Sequence, residues 1–224
     1  MKIVNATFMS LLLALSTSGA FAAGIAGGDL ENCDVLLGKE KAKEFQAYMK
    51  RIKTAGEGGD VKLASQYAGI LHNRFICHEE IILGDQPWTV ITEKKGVSAS
   101  QTSFRPTAKN LQNHPEAFSA LKQAVEAFSK IAEKDLSART ILGEYYADYS
   151  DVLKPSQDGY FYLASAYESY CRPEYARPES KSRCTLLKHY KTAYLGLITV
   201  EERSQIDQRA RHWSDAYMQS KPVR

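Results

Sequence analysis

Apolar side chains recur along this chain with the period of an α-helix, in one segment after another. Phe45, Tyr48, Met49 and Ile52 stand at i, i+3, i+4 and i+7. That spacing puts them on one stripe of a helix, because 3.6 residues complete a turn. Gly56, Gly58 and Gly59 stop that helix, and Asp60 is placed to cap the next. The second stripe is Val61, Ala64, Tyr67, Ala68, Leu71 and Phe75. A third helix follows Asn113, which with Glu116 has capping-box spacing, while Pro115 falls in the first turn. Its stripe is Phe118, Leu121, Val125, Phe128 and Ile131. Ile141, Leu142, Tyr145, Tyr146 and Tyr149 mark a fourth helix, which Pro155 ends. A fifth runs from about Asp158 to Cys171. Beyond a Pro-rich loop, Leu186, Leu187, Tyr190, Tyr194 and Leu197 mark a sixth. Thr199 and Glu202 make another capping box before the last stripe, Val200, Ile206, Ala210, Trp213 and Tyr217. The expected fold class is all-α: antiparallel helix pairs arranged as a solenoid or a bundle.

Residues 83–112 break the pattern. Trp88 to Thr92 is short and β-prone, and Val97 to Thr107 is rich in Ser and Thr without a period. This segment reads as an irregular connection between a first half, residues 29–82, and a second, residues 113–219. It is either a contact surface or a linker.

The N-terminus carries an export signal. Lys2 supplies the positive charge, Phe8 to Leu15 a short apolar run, and Ala20-Phe21-Ala22 the small-x-small pattern. Together they predict a signal peptide over residues 1–22, cleaved after Ala22. The run is too short for a membrane span, which needs roughly 20 apolar residues, and no later segment reaches that length. No cysteine sits at the cleavage site to receive a lipid. The signal has a bacterial style, so the expected compartment is the periplasm, with residues 23–224 as one helical domain. The whole chain has a net charge of +3, and only Lys2 among its charged residues leaves with the signal. Such a balance gives no electrostatic argument for nucleic acid. Arg203, Arg209, Arg211, Lys221 and Arg224 make the C-terminal end basic, but Glu201, Glu202, Asp207 and Asp215 interleave with them.

The four cysteines, Cys33, Cys77, Cys171 and Cys184, all lie beyond the signal. An even number in an exported chain predicts two disulfides. Three pairings are possible. Cys33–Cys77 with Cys171–Cys184 is favoured, because each pair brackets one local helical unit. No CxxC is present for redox chemistry, and neither close pair is spaced like a zinc knuckle.

Motifs of catalysis and cofactor binding do not emerge. There is no HExxH, GxSxG or Walker loop. Cys77-His78-Glu79-Glu80 is the densest polar cluster, but a metal would need His72 and His78 to converge. At i and i+6 they diverge by about 120° on a straight helix. Glu79/Glu80 and Glu201/Glu202 are adjacent in sequence, so each pair diverges by about 100° and does not flank one bond. No metal or cofactor is expected.

The tyrosines say more. Ten of the 13 fall between Tyr145 and Tyr194. Tyr145, Tyr167, Tyr190 and Tyr194 lie on stripes and are read as core. Tyr145 with Tyr146, and Tyr160 with Tyr162, cannot all face inward, because neighbours on a helix diverge. Exposed tyrosines give large, rigid contact area at low entropic cost. Tyr146, Tyr149, Tyr160 and Tyr162 are therefore the candidate partner-binding residues, in a groove over residues 145–175.

The segment Ala138 to Tyr167 reads ARTILGEYYADYSDVLKPSQDGYFYLASAY. It resembles a Sel1-like repeat, a cousin of the tetratricopeptide repeat. Ala138, Leu142, Gly143, Tyr146 and Val152 match the first half of that pattern, and Tyr160, Phe161, Ala164 and Ala166 the second. Seventy-four residues upstream, Ala64, Ala68 and Gly69 align with Ala138, Leu142 and Gly143, with Ala68 in place of the Leu. The resemblance implies a fold in which Gly143 and the facing alanines let two helices approach closely. It also implies a scaffold or adaptor that holds protein partners. Some exported members carry disulfides between repeat helices, and some neutralise secreted toxins. The functional expectation is an exported protein-binding module whose partner is an unidentified protein, of the kind that antagonises a secreted toxin. The alternatives are an envelope assembly or regulatory factor, and a periplasmic hydrolase with scattered catalytic residues.

Overall fold

A computed structural model describes residues 27–83, 111, 113–154, 156–175 and 180–220, and every element among them is helical. The signal region 1–22 and nearly all of segment 83–112 lie outside the described residues. The chain enters through a 3-10 turn, Gly27–Glu31, and a one-turn helix α1, Cys33–Leu36. Asn32 caps α1 by accepting from the Asp34 amide at 2.9 Å. The stripe of Phe45, Tyr48 and Ile52 becomes the buried face of α2, Ala42–Glu57. Asp60 accepts from the Leu63 amide at 3.0 Å and so opens α3, Val61–Leu83.

Helix α4 spans Pro115–Ile131, and here the expected capping box is corrected. His114, not Asn113, is the N-cap, and no side chain caps the helix. The cause is Pro115. Its ring fixes a helical φ and forces the preceding residue out of the helical region, so the helix starts at Pro115 itself. His114 lies outside the helical region, at φ −123° and ψ 78°. Helix α5 is Leu136–Asp148, α6 Ser156–Cys171, α7 Lys181–Ala193 and α8 Val200–Gln219. The second capping box forms as its spacing predicts: Glu202 N donates to Thr199 Oγ1 at 3.2 Å, and Thr199 N to Glu202 Oε2 at 2.8 Å.

Successive helices from α2 to α7 pack on one another, and α8 returns onto α6. Three apolar clusters result. The first joins α1, α2 and α3 through Val35, Leu36, Phe45, Ile52 and Ile70. The central cluster joins α3, α4 and α5, so the two sequence halves share one core. Phe75 is wholly buried in it, and burying such a side chain contributes about 1.5–3 kcal/mol. The third lies among α5, α6, α7 and α8. Between α5 and α6 the crossing is tight. A Cβ on Gly143 would stand 2.8 Å from the Leu163 Cα, so only glycine fits there. Ala164 and Ala166 are fully buried on the facing helix.

Both disulfides join the residues favoured from sequence. Cys33–Cys77 ties α1 to α3 with Cα atoms 5.5 Å apart, and Cys171–Cys184 ties the end of α6 to α7 with Cα atoms 5.4 Å apart. Among the described residues no helix is long and apolar enough to cross a membrane.

Candidate partner-binding groove

Three helices meet at one carboxylate. Tyr160 on α6 is wholly buried, and its hydroxyl donates to Asp207 Oδ1 on α8 at 2.9 Å. Lys191 on α7 donates to the same oxygen, also at 2.9 Å. The Lys191 ammonium lies over the rings of Tyr167 and Tyr160, 4.9 and 5.4 Å from their centroids. Burial pushes the Tyr160 phenol up, and the hydrogen bond to Asp207 and that residue's charge push the same way; Arg203 opposes them. Tyr160 therefore remains a neutral donor that fixes α8 against α6.

Above this junction is an open groove of about 270 Å³. Lys188, Lys191, Thr192 and Leu195 form one wall, and Arg203 and Asp207 the other. Lys188, Lys191 and Thr192 share one face of α7 at i, i+3 and i+4, and Leu195 follows from the turn. Basic groups outnumber acidic ones on these walls by Lys188, Lys191 and Arg203 to Asp207.

The turn from α7 to α8 forms the rim. Leu195, Leu197 and Val200 are 56%, 43% and 65% exposed. Tyr194 and Ile198, which alternate with them, are buried. Tyr194 reaches across the core and donates to the Gly143 carbonyl at 2.8 Å. The turn is thus pinned from beneath at both buried residues, and its outward side chains are held out by that geometry.

The four tyrosines expected at a contact surface are split. Tyr149 is core, 2% exposed; its hydroxyl donates to the buried Glu79 of α3, and its ring meets Phe75 edge-on. Tyr160 is core as well, although with Tyr167 it also lines the groove between α6, α7 and α8. The expectation for these two is corrected, and the reason is helical phase. Tyr149 stands at i+4 from the core Tyr145, and Tyr160 stands at i−3 and i−4 from Leu163 and Ala164. Tyr146 and Tyr162 are partly buried, with ring centroids 6.4 Å apart. Gly159 makes room for the first of them, since a Cβ there would lie 2.2 Å from the Tyr146 Cβ. Of the tyrosines read as core, Tyr145 and Tyr194 are buried, whereas Tyr167 and Tyr190 are only partly so.

Arg139 is the feature that sequence reasoning missed. It is wholly buried on α5. Its Nε donates to the Ala132 carbonyl at 2.8 Å, Nη1 to Ser165 Oγ at 3.1 Å and Nη2 to Glu133 Oε1 at 2.9 Å. The guanidinium lies 3.7 Å from the Trp213 ring centroid, and Phe161 and Tyr162 flank it at 4.8 and 5.5 Å. Burial pushes its pKa down to about 10 against the charge of Glu133, so it is still protonated at neutral pH. One signal was available: Arg139 sits three residues from both Leu136 and Leu142, on the apolar stripe.

Helix α3 runs unbroken through His72 and His78, so the two rings diverge. His72 instead hydrogen-bonds the Tyr145 hydroxyl at 2.5 Å. Among the described residues no three His, Cys, Asp or Glu side chains are gathered as a metal would require. Compared with known protein families, with curated proteins and with solved structures, the chain matches none.

Proposed function

We propose that this chain is an exported helical binding module that acts by holding another protein. In its most specific form, the reading is a periplasmic antagonist that seats on a toxin delivered into the same compartment. One observation carries it: Leu195 and Leu197 on the turn from α7 to α8 and Val200 at the start of α8 are all exposed, while Tyr194 and Ile198 among them are buried. Single exposed apolar residues are ordinary on any protein surface. Three within six residues, across a turn anchored by buried neighbours and beside a groove, are what a protein interface uses for its apolar centre. The likeness of residues 138–167 to a Sel1-like repeat supports the same reading.

The test is affinity capture with the tagged, signal-less, oxidised chain from envelope extract of the producing cell, read by mass spectrometry. A single stoichiometric protein partner is expected. Its identity separates an antagonist from an envelope assembly factor. Recovery of no partner by a folded, oxidised chain would overturn the reading.

A further inference from the structure

We infer that the groove between α6, α7 and α8 takes an acidic segment of the partner that carries a leucine-like side chain among its carboxylates. This rests on the protein-binding reading above and specifies its chemistry. The argument starts from charge. Asp207 is already engaged by Lys191 and Tyr160, so its charge is answered within the groove. Lys188 and Arg203 make no ion pair among the described residues and face the same opening. The field left over is positive, and a complementary ligand brings carboxylates. Shape and polarity then narrow the class. Leu195 lines the groove and is also its most exposed apolar wall, with Leu197 and Val200 beyond it. A phosphate backbone makes no use of such a rim, because non-specific binding to it comes essentially from charge. An apolar side chain between acidic neighbours meets both features at once, with the rim excluding water and the cations setting register.

The experiment uses the mature, oxidised protein and two fluorescein-labelled peptides of equal length. One alternates Leu with Asp and Glu; the other replaces every acid with Lys. Anisotropy titrations at physiological salt should show the acidic peptide binding at least about tenfold more tightly, as expected for two unpaired cations acting at a rim. Lys188→Glu combined with Arg203→Glu should reduce acidic-peptide binding about tenfold and raise that of the Lys peptide. Lys188 is exposed and Arg203 half-buried, and neither belongs to an apolar cluster, so helicity by circular dichroism should be unchanged. Leu195→Ser should weaken the acidic peptide while leaving the charge preference intact. No binding of the acidic peptide, equal binding of both peptides, or an unchanged preference in the double variant would overturn the inference. So would binding to phosphatidylglycerol–phosphatidylcholine vesicles that displaces the acidic peptide, because the surface would then be a membrane contact. If the double variant still captures the cellular partner at full strength, the groove is wrong while the binding-module reading stands. If the wild-type chain captures nothing, that reading fails on its own terms.

Discussion

The central core and the C-terminal core of this molecule are assembled by different rules. In the centre, α4 offers Ala117, Ala120, Leu121, Ala124 and Ala127 to Ala68, Leu71 and Phe75 of α3. Here close packing of small and apolar groups dominates, with two polar contacts from α3 to α5, His72 to the Tyr145 hydroxyl and the Tyr149 hydroxyl to Glu79. The α6–α8 seam is polar instead. Ser169 bonds Ser214 at 2.9 Å, Tyr160 bonds Asp207, and the buried Glu168 lies 3.3 Å from Arg211. Arg172 pairs with Asp215 at 2.7 Å, and Gln157 with Glu202 at 2.6 Å. Several of these groups share partners: Asp207 also accepts from Lys191, and Arg172 also lies 3.9 Å from Glu168. Polar seams of this kind specify register more than they add net stability. The helix whose register is specified is α8, which supplies Arg203 and Asp207 to the groove. The region that presents the candidate site is therefore the region with fixed geometry.

The largest effect expected from this contrast is at Arg139. Arg139→Ala removes a buried charge, empties the space under Trp213 and leaves Ser165 without its donor. It should cost about 3–5 kcal/mol in urea unfolding. Arg139→Met refills most of the volume without a charge and should recover much of that loss. Leu121→Met in the central core is a volume-conserving change and should cost less than about 1.5 kcal/mol. If Arg139→Ala proved as mild as Leu121→Met, the contrast between the two cores would be broken.

The disulfides sharpen it next. Cys33–Cys77 closes 44 residues and Cys171–Cys184 closes 13. Loop-closure entropy then assigns about 4 kcal/mol to the first and about 3 kcal/mol to the second. Replacing each pair by Ala and comparing unfolding free energies measures both. The second replacement should also raise amide exchange in α7, because that helix buries only Leu187 and is held at its start by Cys184. Equal protection of α7 with and without the bridge would show that Lys191 and Tyr194 suffice to hold it.

Most of the architecture was legible because a buried stripe leaves a period in the sequence. Both disulfides were legible because each pair brackets one local helical unit. The Asn113 box was misread because its spacing was right but Pro115 overrode it. Tyr149 and Tyr160 were misread for a different reason. A tyrosine's ring and hydroxyl can both be satisfied inside, and whether they are depends on a partner from another helix: Glu79 is 70 residues from Tyr149, and Asp207 is 47 from Tyr160. The groove was legible only in part: Tyr160 and Tyr167 of its lining fall within residues 145–175, where a groove was expected, but its charged walls do not. Lys188, Arg203 and Leu195 look like ordinary surface residues until α7 and α8 are folded back against α6.

The smallest effect expected is a dependence on pH, and it belongs to the other half of the molecule. His78 on α3 is only 9% exposed, and its Nε2 is buried with no hydrogen-bond partner among the described residues. Burial lowers its pKa from the ordinary 6.5, the nearby Arg74 lowers it further, and Glu116 of α4 partly opposes them. The folded chain therefore resists a proton that the unfolded chain accepts. Stability from this group is complete above about pH 6.5 and declines as the pH falls below that value toward the lower folded pKa. The carboxylates held low in the folded state, Glu126, Glu202 and Asp215, start from ordinary values of 4.5, 4.5 and 3.8, so their loss comes at more acidic pH. The two windows separate between pH 7 and pH 5. Urea unfolding of wild type and His78→Leu at those two values should show a smaller pH dependence in the variant. An equal loss in both proteins would mean that His78 takes its proton in the folded state as readily as in the unfolded one, and that its burial against α4 does not hold it neutral.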